Sequence, residues 1–202
     1  MRYIAHVSPN IDDWSTRHSV LAMARRTADL INALDADRPD PSEVAVVLRA
    51  YGEADDTELT ACDVDGMRAA AVLLREVLAA ETADGAAGHL NRLLAEHTGP
   101  FRLTSHGGSS PWHPHLDQDD DAPWDEWLLA SSCMALAVLV WEHQRPPGRI
   151  CSSRSCRNVF ITQGSGPERR YCSRRCATRE RVSAHRRSHS TEQLGGTEQG
   201  PG

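Results

Sequence analysis

Four cysteines in the last third of the chain, Cys151, Cys156, Cys172 and Cys176, are spaced C-x4-C, fifteen residues, C-x3-C. Two close thiolate pairs joined by a loop can close a tetrahedron around one Zn²⁺. Each pair grips one edge and the loop lets the pairs converge. A disulfide pair or an iron–sulfur cluster would draw on the same residues. The segment between them is poor in core-forming side chains: Val159, Phe160, Ile161 and Tyr171 are its sizeable apolar residues. A metal is expected to replace the missing core. Arginine dominates the surroundings, and a small metal-stapled module with that much positive charge points to nucleic acid.

Charge is split along the chain. Residues 1–144 hold 10 Arg against 24 Asp and Glu, whereas residues 145–190 hold 12 Arg against 2 Glu. The first part is thus formally −14 and the second +10, an asymmetry expected of an acidic body with a basic nucleic-acid-binding end. There is no lysine. We read this as a genomic composition bias, although arginine is also the better bidentate phosphate ligand.

The opening MRYIAHVSPNIDDW lacks a basic stretch followed by an apolar one, so no secretory signal is expected. The longest apolar run, 127–141, suits a buried core helix better than a membrane span. The expected compartment is the cytoplasm, where close cysteine pairs are more often metal ligands than disulfides.

The elements that must carry these residues are mostly helices. Val20, Met23, Ala24, Thr27, Leu30, Ile31 and Leu34 recur at helical spacing over 19–36. Asp40-Pro41-Ser42-Glu43 looks like a helix start, with Val44, Val47, Leu48 and Tyr51 as its stripe and Gly52 as its stop. Further helices are expected over 64–81 (Met67, Ala70, Ala71, Leu74, Leu78) and 87–97 (Leu90, Leu93, Leu94). Residues 100–116 read as a β-hairpin around Gly107-Gly108. A long apolar helix runs from Pro123 to about His143, and Arg145-Pro146-Pro147-Gly148 marks a boundary. The expected class is mainly α. A helical domain with a small β-hairpin, residues 1–145, precedes a treble-clef-like four-cysteine zinc finger, residues 149–188. A disordered tail, 189–202, follows.

Within the finger, Cys151 to Cys156 forms a knuckle and Val159-Phe160-Ile161 a short strand. Ser173 caps a helix whose first turn holds Cys176. At 100° per residue, Arg174, Arg181 and His185 fall roughly opposite Cys176, with Arg175, Arg179 and Arg186 as a neighbouring stripe. Few acids interleave with them, and like charges on one helix are unfavourable without a polyanionic partner. With Phe160 and Tyr171 expected inside, phosphate and groove contacts on duplex DNA are favoured over base stacking. The candidate DNA contacts are Arg169, Arg170, Arg174, Arg175, Arg179, Arg181, Arg186 and Arg187. A zinc site that only staples this end of the chain is the plainer reading of the same residues.

Elsewhere, His113 and His115 with Asp117 could form a metal or catalytic cluster, but His-Pro-His lacks the i, i+4 helical spacing of a metalloprotease motif, and a polar hairpin is the simpler reading. Cys133 is expected to be a small core residue. Cys62, beside a helix start, reads as a boundary thiol or an oxidant sensor. No phosphate loop, GxSxG elbow or paired catalytic carboxylates are present, so a binding protein is expected, not an enzyme.

The finger resembles the CGNR zinc finger family, whose proteins carry an N-terminal ABATE domain and are regarded as stress-induced transcription regulators of bacteria. The resemblance rests on Cys151, Cys156, Phe160, Arg169-Arg170-Tyr171-Cys172-Ser173 and Cys176-Ala177-Thr178-Arg179. Ala177 and Thr178 replace the Gly and Asn that give the family its name. Thr162 stands where an acidic residue is usual. Asp29-Leu30-Ile31-Asn32-Ala33-Leu34-Asp35 resembles an early ABATE helix, and Arg68, Leu74-Arg75-Glu76 and Leu90-Asn91 resemble later ones. The resemblance implies one structural Zn²⁺, a DNA-reading finger, and a body that senses a small molecule or dimerises. A protein–protein adaptor is the alternative. An enzyme using His113 and His115 is a third reading, which a pocket gathering them with Asp117 would favour.

Overall fold

The computed structural model describes residues 19–53, 58–163 and 169–195. Six α-helices lie among them: α1 (Val20–Leu34), α2 (Pro41–Ala50), α3 (Ala61–Ala79), α4 (Ala83–His97), α5 (Trp124–His143) and α6 (Arg174–Gly195). Two antiparallel hairpins complete the fold. In the first, β1 (Arg102–Thr104) pairs with β2 (His113–His115), with Thr104 opposite His113. In the second, β3 (Gly148–Ile150) pairs with β4 (Val159–Ile161), with Gly148 opposite Ile161. The expected mainly helical class is what the structure shows.

Helix starts follow capping chemistry more closely than apolar periodicity. The Asp40 carboxylate accepts from the Ser42 amide at 2.8 Å, with Pro41 in the first turn. Thr60 and Asp63 form a reciprocal capping box, so α3 starts at Ala61, three residues before its apolar stripe. Thr82 accepts from the Gly85 amide at 3.1 Å and starts α4 at Ala83, earlier than the stripe of leucines suggests. Gly52 follows α2 with φ 98°, a conformation that glycine supplies without strain.

The apolar helix α5 sits at the centre and packs on α1, α3 and α4. By length and composition it could cross a membrane. In this fold Trp127, Leu128, Leu129, Leu136 and Leu139 are instead covered by the other helices. Cys133 is fully buried there, and burial pushes its thiol up to about 12, as suits an inert core residue. Thr27 reaches across from α1 to donate to Ser132 Oγ at 2.8 Å, which satisfies a buried hydroxyl pair.

The cysteine-bearing part is docked against the body. Side chains alternate along β4: Val159 and Ile161 enter the main core with Leu34, Leu74 and Leu78, while Phe160 points to the cysteines. Asn32 on α1 acts as a strand edge. Its amide donates to the Val159 carbonyl at 3.0 Å, and its oxygen accepts from the Val159 amide at 2.8 Å. Arg75 bonds the Arg157 carbonyl and lies 3.8 Å from Asp35. The Asp29-to-Asp35 segment therefore supplies part of the seam between body and finger.

The seam is tight at Gly148. A β-carbon there would meet Leu78 Cδ2 at 2.5 Å and the Phe160 carbonyl oxygen at 3.0 Å. Gly148→Ala is expected to cost about 1–3 kcal/mol, as overpacking does. In a chain of this size that is a fall of roughly 2–4 °C in Tm per kcal/mol, checked by thermal unfolding.

The basic helix extends past the expected end near residue 188. It runs to Gly195, because the sequence offers no proline or glycine before that point. Seven residues of the expected tail are thus helical, and 196–202 lie outside the described residues.

Candidate metal centre

Three short elements bring the cysteines together. Cys151 follows directly on β3, and its amide donates to the Asn158 carbonyl at 2.8 Å, which closes the knuckle. The turn returns through Cys156, whose amide donates to the Ser153 carbonyl at 3.0 Å. Cys172 precedes α6 and Cys176 lies in its first turn. The Cys176 amide donates to the Ser173 hydroxyl at 3.2 Å, the cap expected from sequence.

The geometry fits a tetrahedral metal. Sγ of Cys172 lies 3.7 Å from Sγ of both Cys156 and Cys176, and all four sulfurs lie within 4.8 Å of one another. Zinc–sulfur bonds of about 2.3 Å place tetrahedral sulfurs about 3.8 Å apart. A disulfide needs about 2.05 Å and is excluded by these distances. Cys151 and Cys176 are each 5 % exposed. The thiols are unequal: the Ser173 contact leads in pulling Cys176 down to about 6, while burial leads in pushing Cys172 up to about 12. Cys176, at a helix N-terminus, is the thiol set to lose its proton first.

Residues 148–189 match the CGNR zinc finger family model. No curated protein matches the chain. The four cysteines hold one structural Zn²⁺, in agreement with the zinc-finger model matched by this segment and with the sulfur geometry.

Residues around the four-cysteine site divide into those that support the metal and those that face outward. The Cys172 amide points at Cys151 Sγ at 3.4 Å. Arg179 donates to Cys176 Sγ at 3.1 Å. Arg179 was expected in an outward arginine stripe. It sits only 60° around the helix from Cys176, so its long side chain folds back onto the thiolate. Arg169 is exposed but anchored: it donates to the Ile161 carbonyl at 3.0 Å and lies 5.4 Å over the Phe160 ring. Arg187 donates to Ser183 at 2.6 Å on the helix surface. Arg170, Arg174, Arg175, Arg181, Arg186 and Arg187 are all exposed. Phe160 is buried and Tyr171 half-buried, as expected.

Sequence reading missed Glu180. Its carboxylate accepts from the Ser153 hydroxyl at 2.9 Å and the Arg154 amide at 3.1 Å, which ties α6 to the knuckle. These bonds, the Ser153 hydroxyl first, hold its pKa below the ordinary value. Its place 40° from Cys176 on the helix was the available signal. The first hairpin also holds more than was expected. It brings His113 and His115 together with His106, which lies seven residues before His113 in sequence.

Proposed function

We propose that the chain is a zinc-dependent DNA-binding transcription regulator that works by binding and performs no catalytic step. One observation carries this reading. From Arg174 to Arg187 the basic helix has a single carboxylate, Glu180, and it turns inward to the knuckle. The outward surface is left with exposed Arg174, Arg175, Arg181 and Arg186 on a helix whose first turn the metal fixes. Such a surface suits the phosphates of duplex DNA. Arg170 and the anchored Arg169 extend it.

In this reading the body senses a small-molecule effector or dimerises. The seam gives such a signal a route: α1 carries Asn32 to Val159, and a cleft of about 390 Å³ lies between α1 and the finger. The setting is the cytoplasm. A genome-wide DNA pull-down with the intact protein tests the proposal, with a variant carrying Ser at all four cysteines as control. Discrete enrichment that the control loses is expected. Equal recovery of background DNA by both proteins would leave the adaptor reading instead.

A further inference from the structure

The hairpin β1–β2 gathers three imidazoles at a distance in sequence from the cysteines. His113 and His115 are two apart on β2 and so share a face. His106 comes from the turn, where it has φ 48° and is followed by Gly107 and Gly108 at φ 68° and 91°. A non-glycine residue in this region costs free energy, and the surrounding structure must hold it there. The three ring centroids are 4.8–5.1 Å apart. Nε2 of His113 lies 3.1 Å from Nε2 of His106 and 3.0 Å from Nε2 of His115.

The opposite ring nitrogens fix the tautomers. His113 Nδ1 faces the Pro111 carbonyl at 2.8 Å. His115 Nδ1 faces the Asp117 carboxylate at 2.8 and 3.0 Å. His106 Nδ1 faces Asp120 Oδ2 at 3.2 Å. The carboxylates are in turn gripped by Arg102, at 2.7 Å to Asp117 and 2.6 Å to Asp120, and Thr104 donates to Asp120 at 3.0 Å. A carbonyl and two such carboxylates accept hydrogen bonds, so each Nδ1 carries its ring's hydrogen. Each neutral ring then turns a lone pair inward at Nε2. Three imidazole nitrogens that converge within 4.8 Å of one another make the donor set of a metal ion.

The separation is right for one. Metal–nitrogen bonds of about 2.0–2.1 Å put neighbouring ligands about 2.9–3.4 Å apart, between right-angled and tetrahedral arrangements. Metal-bound histidines characteristically pair their other nitrogen with a carboxylate or backbone carbonyl, as all three do here. Three nitrogens also leave a coordination position open. His113, His115 and Asp117 line a cavity of about 40 Å³ against Arg26, Glu53 and Trp127, large enough to hold water.

We propose that His106, His113 and His115 form a second metal site in the helical body. It binds a divalent transition-metal ion, Zn²⁺ or a close relative, through three neutral nitrogens. Its open position takes water or a small anion. Asp117 and Asp120 orient two of the ligands and balance the added charge. Arg102 positions both carboxylates.

Untagged full chain, dialysed against Zn²⁺ and then metal-free buffer, is expected to retain two equivalents. His106→Ala with His113→Ala is expected to retain one. Loaded with Co²⁺, that variant should keep the thiolate-to-metal charge-transfer band, which reports an intact finger, and lose the added absorption of the nitrogen site. One equivalent in the wild type, unchanged in the variant, overturns the proposal. The wild type alone gives a second measurement, should the variant fold poorly. Adding the second equivalent should move the ¹⁵N resonances of Nε2 in all three imidazoles, and unmoved resonances also overturn the proposal. Loss of the thiolate band in the wild type would count against the finger reading alone.

Discussion

Removing the finger metal, by chelation or by Cys172→Ser with Cys176→Ser, is expected to unfold the chain from Gly148 onward and to destabilise the helical body as well. The body is affected because side chains alternate along β4, and Val159 and Ile161 belong to the same core as Leu34 and Leu78. Withdrawing two such side chains forfeits about 3 kcal/mol or more. It also breaks the Asn32 pair with Val159 and strips cover from Leu78. For a chain of about 200 residues this is a fall in Tm of roughly 6–12 °C. Differential scanning calorimetry with and without chelator checks it. An unchanged body transition would mean that the seam contributes no stability.

The cysteine site was legible in the sequence because its chemistry is local. C-x4-C and C-x3-C are turn-sized spacings that place thiolates without reference to the rest of the fold. The helices were legible from their stripes, but α3 and α4 begin at Thr60 and Thr82 caps that lie outside those stripes. The seam was not legible. Asn32 and Val159 are 127 residues apart, and nothing in a helical stripe says that a half-buried asparagine will imitate a strand. The imidazole cluster was half legible. His113 and His115 stand out in sequence, whereas His106 joins them only because the turn at Gly107-Gly108 folds it back across the hairpin. On the basic helix Arg174 and Arg181 are exposed, as their phase relative to Cys176 predicts. What phasing alone did not weigh was side-chain length, which lets Arg179 reach the sulfur.

Arg174→Ala with Arg181→Ala is expected to weaken duplex DNA binding across all sequences. It should also reduce the slope of log K against log salt by about two units, since each neutralised phosphate contributes about −0.9. Both side chains are exposed on the outward face of α6, so folding and metal content should stay at wild-type levels. Arg179→Ala is expected to behave in the opposite way. It removes a donor from Cys176 Sγ, so zinc affinity should fall by roughly 10–100-fold, as loss of such outer contacts does, while the salt slope of the metal-loaded protein stays unchanged. Fluorescence anisotropy and competitive chelation separate the two effects. Silence of Arg174 and Arg181 in a protein that does bind DNA would move the contact surface to the knuckle, where Arg154 and Arg157 stand.

We propose that the zinc finger grips duplex DNA, and a mobility-shift titration over a salt series is the decisive experiment. The full chain is the right species, because an isolated finger would expose Val159 and Ile161. The metal-loaded chain is expected to bind duplex DNA with an affinity that falls linearly and steeply in log salt. The Cys172→Ser, Cys176→Ser protein should lose that binding. A metal-loaded, folded chain that leaves duplex DNA unshifted even at the lowest salt would contradict the claim.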